Sequence, residues 1–414
     1  MKNITIVGGG SSGWLSSLFF NRKHPEYNIT VIYSSKIDIL GAGEGTTPNF
    51  SGFLYELGIK EMDFIKRCKA TIKESNKFVN WSPNESEYVH DFDEGTISRI
   101  QKNLIHGFHF DARLAADFFK EIATERGVKF VDSKIVNFTT NDNGDITHIH
   151  TEDDITVETD FIIDCSGFSR LIIGDFYKSN WISYSKYLTI NSALAFFLPQ
   201  KDILTPTTKT HTKSIALNNG WMWQAPLQHR WGCGYAYNNN YVSFEDAKKE
   251  VEEYVGHEID VVKTFKFNPG SYEKTWINNC VALGLSSGFL EPLEATSFLT
   301  FIVSIKTLNN IGIENVDRRD MYNEFVNNVN KQNLFFIRHH YNCNRIDTPF
   351  WVDNNNVEIP QPLKNIYDKG LSNIKNNDEL LELMGIFDTG PVFGIRNYLI
   401  VDLGHKVKTE KTLV

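Results

Sequence analysis

Gly8, Gly10 and Gly13 in "VGGGSSGW" have the spacing of a phosphate cradle, directly after the apolar run from Ile4 to Val7. In G-x-G-x-x-G the first glycine permits a tight turn, the second lets a pyrophosphate approach the backbone, and the third lets helix and strand pack closely. The helix N-terminus then favours the phosphate charge. Two further strand ends carry glycines, at "DCSG" (Asp164 to Gly167) and at Gly284 in "VALGLSSGF". Either one alone reads equally well as an ordinary turn. Three along one chain fit an extended FAD better than NAD, because FAD crosses a whole sheet edge. Tyr33 breaks the pattern: it stands at the end of "ITVIY", where an acid would take the ribose hydroxyl. A hydroxyl of Tyr33, Ser34 or Ser35 is the available substitute.

Other groups suited to chemistry lie far from these glycines. In "EPLEATSFLTFIVSI", Pro292 bars helix before it and the apolar run from Phe298 starts a helix near Thr296. The free N–H groups of Ala295, Thr296 and Ser297 then suit an anion: phosphate, carboxylate or halide. Glu294 sits beside them as a candidate acid or base. A helix simply capped by Thr296 or Ser297 is the plainer alternative. Lys73, in "TIKESNKFVNW", is either a solvated surface lysine or a buried amine of lowered pKa, able to act as nucleophile or proton donor. Trp221 and Trp223 in "GWMWQAP" alternate along a strand, so both indoles face one side of a sheet. Taken alone, a core face is the plainer explanation, with a functional wall as the alternative.

These groups need elements to hold them. "NITIVGGGSSGWLSSLFFNRK" followed by "YNITVIYSS" reads as strand, turn, helix, strand, a βαβ start. A glycine-rich loop, "GAGEGTTPNF", leads into the helix "FSGFLYELGI". Helix is expected through Lys73, then the strand "NKFVNW". "DARLAADFFKEIATERG" is an amphipathic helix with an acidic start and a glycine stop. "VKFVDSKIVNFTT", "ITHIHTEDDITVETD" and "FIIDCSG" read as strands, and residues 185–245 as a predominantly antiparallel sheet. "CVALGLSSGFLEPLEATSFLTFIVSIKTL" returns to strand, loop and helix; the remainder of the chain is mainly helical with Asn-rich surfaces. The expected fold class is α/β: a Rossmann-like GxGxxG module, an antiparallel sheet layer and a mainly helical C-terminal part. The expected division is a discontinuous FAD-binding module over 1–184 and 275–345, an antiparallel sheet over 185–274, and a helical segment near the substrate site over 346–414.

Bulk composition excludes some functions. The chain has 414 residues and a formal net charge of −9, so a nucleic-acid-coating surface is not expected. Five scattered cysteines, with no CxxC pair, point to reduced thiols in a cytoplasm-like compartment and to no structural zinc. The most apolar run, "SFLTFIVSI", is too short for a membrane span, and no signal peptide is expected, since "MKNITIVGGG" enters strand and turn at once.

Together the motifs resemble the flavin-dependent halogenases, in particular the tryptophan halogenase branch. "GGGSSGW", "GAGEGTTP", "KESNKFVNW", "FHFDARLAADFF", "DCSGF", "GWMWQAPLQHRWGCGY", "GFLEPLEATS" and "HHYNCNRIDTPFW" recur in the family's order from residue 8 to 351. GxGxxG is shared with many flavoproteins; the WxWxxP and EPLEAT segments are far more specific. The resemblance implies FAD, used in reduced form and held at Gly8, Gly10, Ser12, Gly13, Trp14, Gly43, Thr46, Gly284 and Leu293. It implies a halide ion, chloride or bromide, on the backbone at Thr296 and Ser297. Hypohalous acid then passes through a tunnel to Lys73. Glu294 aligns it against a small electron-rich arene and helps deprotonate the cationic intermediate. Trp221 and Trp223 become a barrier between flavin and substrate, and His90 and Phe92 in "YVHDFD" stack on the substrate ring. The implied partner is a separate NAD(P)H-dependent flavin reductase; neither membrane nor nucleic acid is expected, and a homodimer is left open.

Four departures qualify the resemblance. Ala295 and Ser297 stand where the usual segment has Ser and Gly, which adds a side chain beside the halide. Ala225 replaces an Ile, Tyr33 replaces the acid, and no counterpart of the C-terminal segment that grips tryptophan's amino acid moiety is found. A substrate other than free tryptophan is therefore expected. Two other readings compete: an FAD-dependent aromatic hydroxylase, which needs neither Lys73 nor the paired tryptophans, and a non-catalytic flavoprotein of the same fold.

Overall fold

Asn3–Val7 lies between Asn28–Tyr33 and Phe161–Asp164 and is parallel to both. Lys129–Asp132 extends the sheet beyond Asn28–Tyr33, and Cys280–Ala282 beyond Phe161–Asp164, again in parallel. Trp276–Ile277 closes the Cys280–Ala282 edge antiparallel, giving six strands. The central strands are apolar on both faces because both are covered. Ile4 and Ile6 pack into one core with helices Ser11–Lys23 and Ala112–Glu125, while Val7, Ile32 and Ile162 enter a second core on the other face. Asp111 caps the second helix by accepting the N–H groups of Arg113 and Leu114. This computed structural model describes residues 2–39, 41, 44–83, 87–92, 106–200, 204 and 208–406.

A nine-stranded sheet stands beside this one. Val261–Lys266, Ser192–Pro199, Arg230–Tyr237, Gly220–Pro226 and Lys209–Ala216 pair antiparallel in that order. The expected antiparallel run over residues 185–245 pairs antiparallel throughout, and one parallel joint follows it: Lys209–Ala216 runs parallel to Thr71–Val79. Gly107–Phe110 and Glu87–Asp91 then pair with successive halves of Thr71–Val79, and Glu44–Gly45 follows Gly107–Phe110. The large sheet thus takes strands from both the 1–184 and 185–274 spans.

Helix does not run to Lys73. The helix Glu61–Arg67 stops, Lys69 takes φ 51°, and the strand begins at Thr71. A left-handed residue ends the helix, and the β-branched pair Thr71-Ile72 favours the strand. Alternation then buries Lys73.

The C-terminal part is helical: Thr296–Ile311, Arg319–His340, Pro349–Asn356, Gln361–Lys369, Asn377–Met384 and Ile395–Lys406. Thr348 caps one helix through the N–H of Trp351, with Pro349 in its first turn. Buried residues of the last five of these helices share a core with Phe78, Trp81, Trp221 and Trp223 of the large sheet, while Phe301, Ile302, Ile305 and Leu308 of Thr296–Ile311 pack into the core of the parallel sheet. No helix among the described residues is long and apolar enough to cross a membrane.

Candidate active site

One cavity of about 870 Å³ runs from the glycine turn of the parallel sheet to the large sheet. Gly8, Gly10, Ser12 and Trp14 line one end, Lys73, Trp221, Trp223 and Glu294 the other, with Gly284 and Ser297 also in its wall. The glycine roles differ. Gly8 takes φ +121°, and a Cβ there would lie 2.2 Å from the carbonyl oxygen of Cys165. A Cβ at Gly13 would lie 1.9 Å from the carbonyl oxygen of Gly8. At Gly10 it would meet nothing within 4 Å, so this backbone faces open space. No side chain caps the helix that begins at Ser11. A turn closed from behind, open in front and uncapped fits a dinucleotide phosphate.

Tyr33 is not a simple vacancy for an acid. Its ring packs edge-on to Trp14 at 5.6 Å, and its hydroxyl accepts a hydrogen bond from Lys120. The carboxylate beside it is Asp132, its register partner on the next strand, which accepts the N–H of Ser35 at 2.7 Å and also lines the cavity.

At the other end, Lys73 is 1% exposed. Its ammonium lies 5.4 Å over the Phe92 ring, and a Cβ at Gly45 would approach Nζ to 3.4 Å. Burial pulls the Lys73 pKa down to about 8, although Glu294 opposes the shift. Burial, and then the Lys73 charge, hold the neighbouring His109 well below the ordinary imidazole range, with Nδ1 3.0 Å from Thr210 Oγ1 and Nε2 2.8 Å from Thr212 Oγ1.

Glu294 is also buried, 4% exposed. Its Oε2 accepts a hydrogen bond from Asn76, and its Oε1 lies 2.8 Å from His90 Nδ1. His340 Nε2 is 3.2 Å from Oε1 but is not aligned as a hydrogen bond. Burial alone would raise the Glu294 carboxyl; the His90 charge and the two imidazole contacts outweigh it and hold the group well below the usual carboxylate range.

The turn carrying Glu294 is unusual. Glu294 (φ 61°) and Ala295 (φ 56°) are both left-handed, and Thr296 (φ −60°) is right-handed and opens the helix. A left-handed residue followed by a right-handed one converges successive N–H groups into an anion-binding nest. No side chain caps this helix start.

Not every expected residue reaches the cavity wall. Gly13 lies beneath the turn, and Leu293 and Thr296 are buried behind the wall. Thr46 spends its hydroxyl on the N–H of Phe108 at 2.9 Å. His90 is buried with both ring nitrogens engaged, while Phe92 stands against Lys73. Gly43 lies outside the described residues.

Sequence reasoning missed Asn76, His340 and Asn397. It also missed Glu291, which takes the Tyr341 hydroxyl at 3.0 Å on both oxygens and which burial pushes up to about 8. The signal for His340 was present in "HHYN"; Asn76 and Asn397 gave none, because neighbours across a bulged sheet or in a distant helix are not spaced regularly in sequence.

Comparison with known proteins identifies a family and related structures. The family described as tryptophan halogenase matches residues 3–101 and 94–410. The tryptophan 6-halogenase SttH of Streptomyces toxytricini is 27% identical, over 87% of this chain and 82% of that protein. Its crystal structure superposes with a TM-score of 0.87 over 97% of this chain and 89% of that one. The 7-chloro-L-tryptophan 6-halogenase KtzR of Kutzneria sp. (strain 744) is 28% identical over 87% of this chain and 83% of its own. The structure of Tar14, a tryptophan C-6 flavin-dependent halogenase from taromycin biosynthesis, gives 26% identity and a TM-score of 0.86, covering 98% of this chain and 90% of that one.

Proposed function

This chain belongs to the tryptophan halogenase family, and from that premise we propose that it halogenates an electron-rich arene of the indole or phenol type, with Lys73 delivering the halogen. The relatives SttH and KtzR act, by their names, on tryptophan and on 7-chloro-L-tryptophan. That history favours an indole for this chain. The observation that carries the reading is the placing of two buried ionisable groups, Lys73 and Glu294, in the wall of one cavity that begins at the glycine turn.

Reduced FAD, when bound, supplies together with dioxygen the oxidising equivalent that turns halide into hypohalous acid. Gly8, Gly10 and the N-terminus of Ser11–Lys23 would hold its pyrophosphate. The nest at Ala295, Thr296 and Ser297 holds the halide by N–H dipoles. Trp221 and Trp223, side by side at 6.1 Å in the cavity wall, keep the organic substrate apart from the cofactor. The Lys73 amine, with its pKa near 8, is available both to donate a hydrogen bond to hypohalous acid and, as neutral amine, to take the halogen. The ionised Glu294 carboxylate stabilises the cationic ring that forms when arene carbon meets halogen, and accepts the proton released from that carbon. A separate flavin reductase regenerates the reduced cofactor.

The test is a reaction with FAD, a flavin reductase, NADH and bromide over a panel of indoles and phenols, free tryptophan included. A bromine isotope doublet in the product mass supports the reading. Hydroxylated product without the doublet replaces it with a monooxygenase, and no product from any member with steady flavin turnover rejects the substrate class.

A further inference from the structure

We infer that His90 works as a permanent imidazolium, a positioning residue that keeps Glu294 ionised and thereby leaves Lys73 free of an ion-pair partner.

Hydrogen-bond inventory carries this. His90 Nδ1 meets the Glu294 Oε1 at 2.8 Å, and an ionised carboxylate only accepts. His90 Nε2 meets Asn397 Oδ1 at 2.7 Å. The Asn397 amide is oriented by its own Nδ2, which donates to the carbonyl of Gly394 at 3.3 Å, so its oxygen faces the ring. Both ring nitrogens therefore face acceptors, and neutral imidazole has only one N–H. A neutral ring would leave a buried acceptor facing an acceptor, in a side chain 2% exposed. The clamp has three walls: the strand Glu87–Asp91 carries His90, the Glu294 turn lies on one side, and helix Ile395–Lys406 brings Asn397 to the other.

The other charged and titratable groups around the pair do not supply the counter-charge. Asn76 is a neutral donor to Oε2. His340 is held down by burial, and its Nδ1 faces the Tyr88 hydroxyl at 3.3 Å. Asp91, next to His90 on its strand, reinforces the imidazolium while pairing with Arg396 at 3.3 Å. Lys73 remains, and its pKa is lowered in spite of Glu294. With His90 cationic, the Glu294 charge is already matched at hydrogen-bond range. The Lys73 amine then loses its proton easily. With His90 neutral, the ionised Glu294 would draw its counter-charge from Lys73, and the amine would stay ammonium.

The chemical consequence rests on the halogenase reading, but the protonation state does not, and it is read without turnover. Histidine-selective 15N labelling of the whole protein, with the His90 signals identified as those missing from His90→Gln, is expected to show both ring nitrogens protonated at pH 8. A single neutral tautomer at pH 8 overturns the inference. If His90→Gln does not fold, Glu294→Gln identifies the ring instead, as the imidazolium that becomes neutral at pH 8; no such change overturns it equally. In turnover, His90→Gln keeps a donor to Glu294 but removes the charge. The limb of the pH–rate profile that follows Lys73 deprotonation is expected to move up by at least about one pH unit. Asn397→Leu is expected to move it the same way and less. Rates that fall with an unmoved limb assign His90 a merely structural role.

Discussion

Replacing Lys73 with Met is expected to strengthen the fold while abolishing halogen transfer. The Lys73 pKa falls from 10.5 to about 8 on folding, because a side chain 1% exposed loses its hydration. That difference is worth ~3 kcal/mol between the two protonation states. The sign follows from proton counting. Between pH 8 and 10.5 the unfolded chain holds a proton that the folded chain has lost, so stability rises with pH across that window. Below pH 8 the whole cost of burying the ammonium is present; above pH 10.5 none of it is. Met has a similar volume and no charge, so the variant should be more stable by ~3 kcal/mol at pH 7 and by almost nothing at pH 10.5. The assay is urea unfolding of parent and variant in parallel at the two pH values, where other titrations cancel in the difference. The same pKa makes about a tenth of the amine neutral at pH 7, against less than about one part in a thousand for an ordinary lysine. A variant no more stable than the parent at pH 7, or an advantage that persists at pH 10.5, would refute the idea of an ammonium forced into a dry wall.

Glu294→Gln should lower arene halogenation by about 10²- to 10⁴-fold, the usual range for a positioned acid–base group, while oxidation of reduced FAD continues; product mass and oxygen uptake, followed together, separate the two. Gly10→Ala should fold normally, since its Cβ meets nothing within 4 Å, yet weaken FAD binding about tenfold or more by fluorescence titration. Gly8→Ala, whose Cβ would lie 2.2 Å from a carbonyl oxygen, should instead fail to give soluble protein; equal behaviour of the two variants contradicts the cradle. Trp223→Ala opens the wall between cofactor and substrate, so oxygenated arene should appear among the products at the expense of the halogenated one, with a stability loss of about 3–5 kcal/mol; an unchanged product ratio would leave the indole a core residue only.

Much of the scaffold was legible because its signals are local. The glycine turn after Ile4 to Val7, the Asp111-capped helix and the helix start at Thr296 each follow from a few adjacent residues. Trp221 and Trp223 were legible as one face for the same reason: alternation along Gly220–Pro226 needs no partner. Lys73 was placed at the end of a helix; Lys, Glu and Asn in "KESN" are poor strand formers, and here the tertiary context overrides propensity. The register irregularity between Thr210 and His211 also breaks the alternation, so that Ser75 and Asn76 are both buried and Asn76 comes to face Glu294. His90 shows a deeper limit. Its type and position were visible in "YVHDFD", but its protonation depends on Glu294 and Asn397, which come from other elements.

The Glu294–Ala295 turn joins the two halves of the site physically. A left-handed conformation costs a non-glycine residue roughly 1–2 kcal/mol, and two stand in succession here. Such strain persists only where the surroundings over-determine it. The surroundings here are the bonds to the Glu294 carboxylate from Asn76 and His90, each charge-assisted and worth roughly 1.5–3 kcal/mol. The carboxylate is therefore also the anchor of the adjoining backbone, where the proposed halide nest of Ala295, Thr296 and Ser297 begins. Loosening that carboxylate releases the left-handed pair and opens the nest. Truncation of Glu294 should thus weaken halide binding as well as proton transfer, although no atom of its side chain need touch the halide.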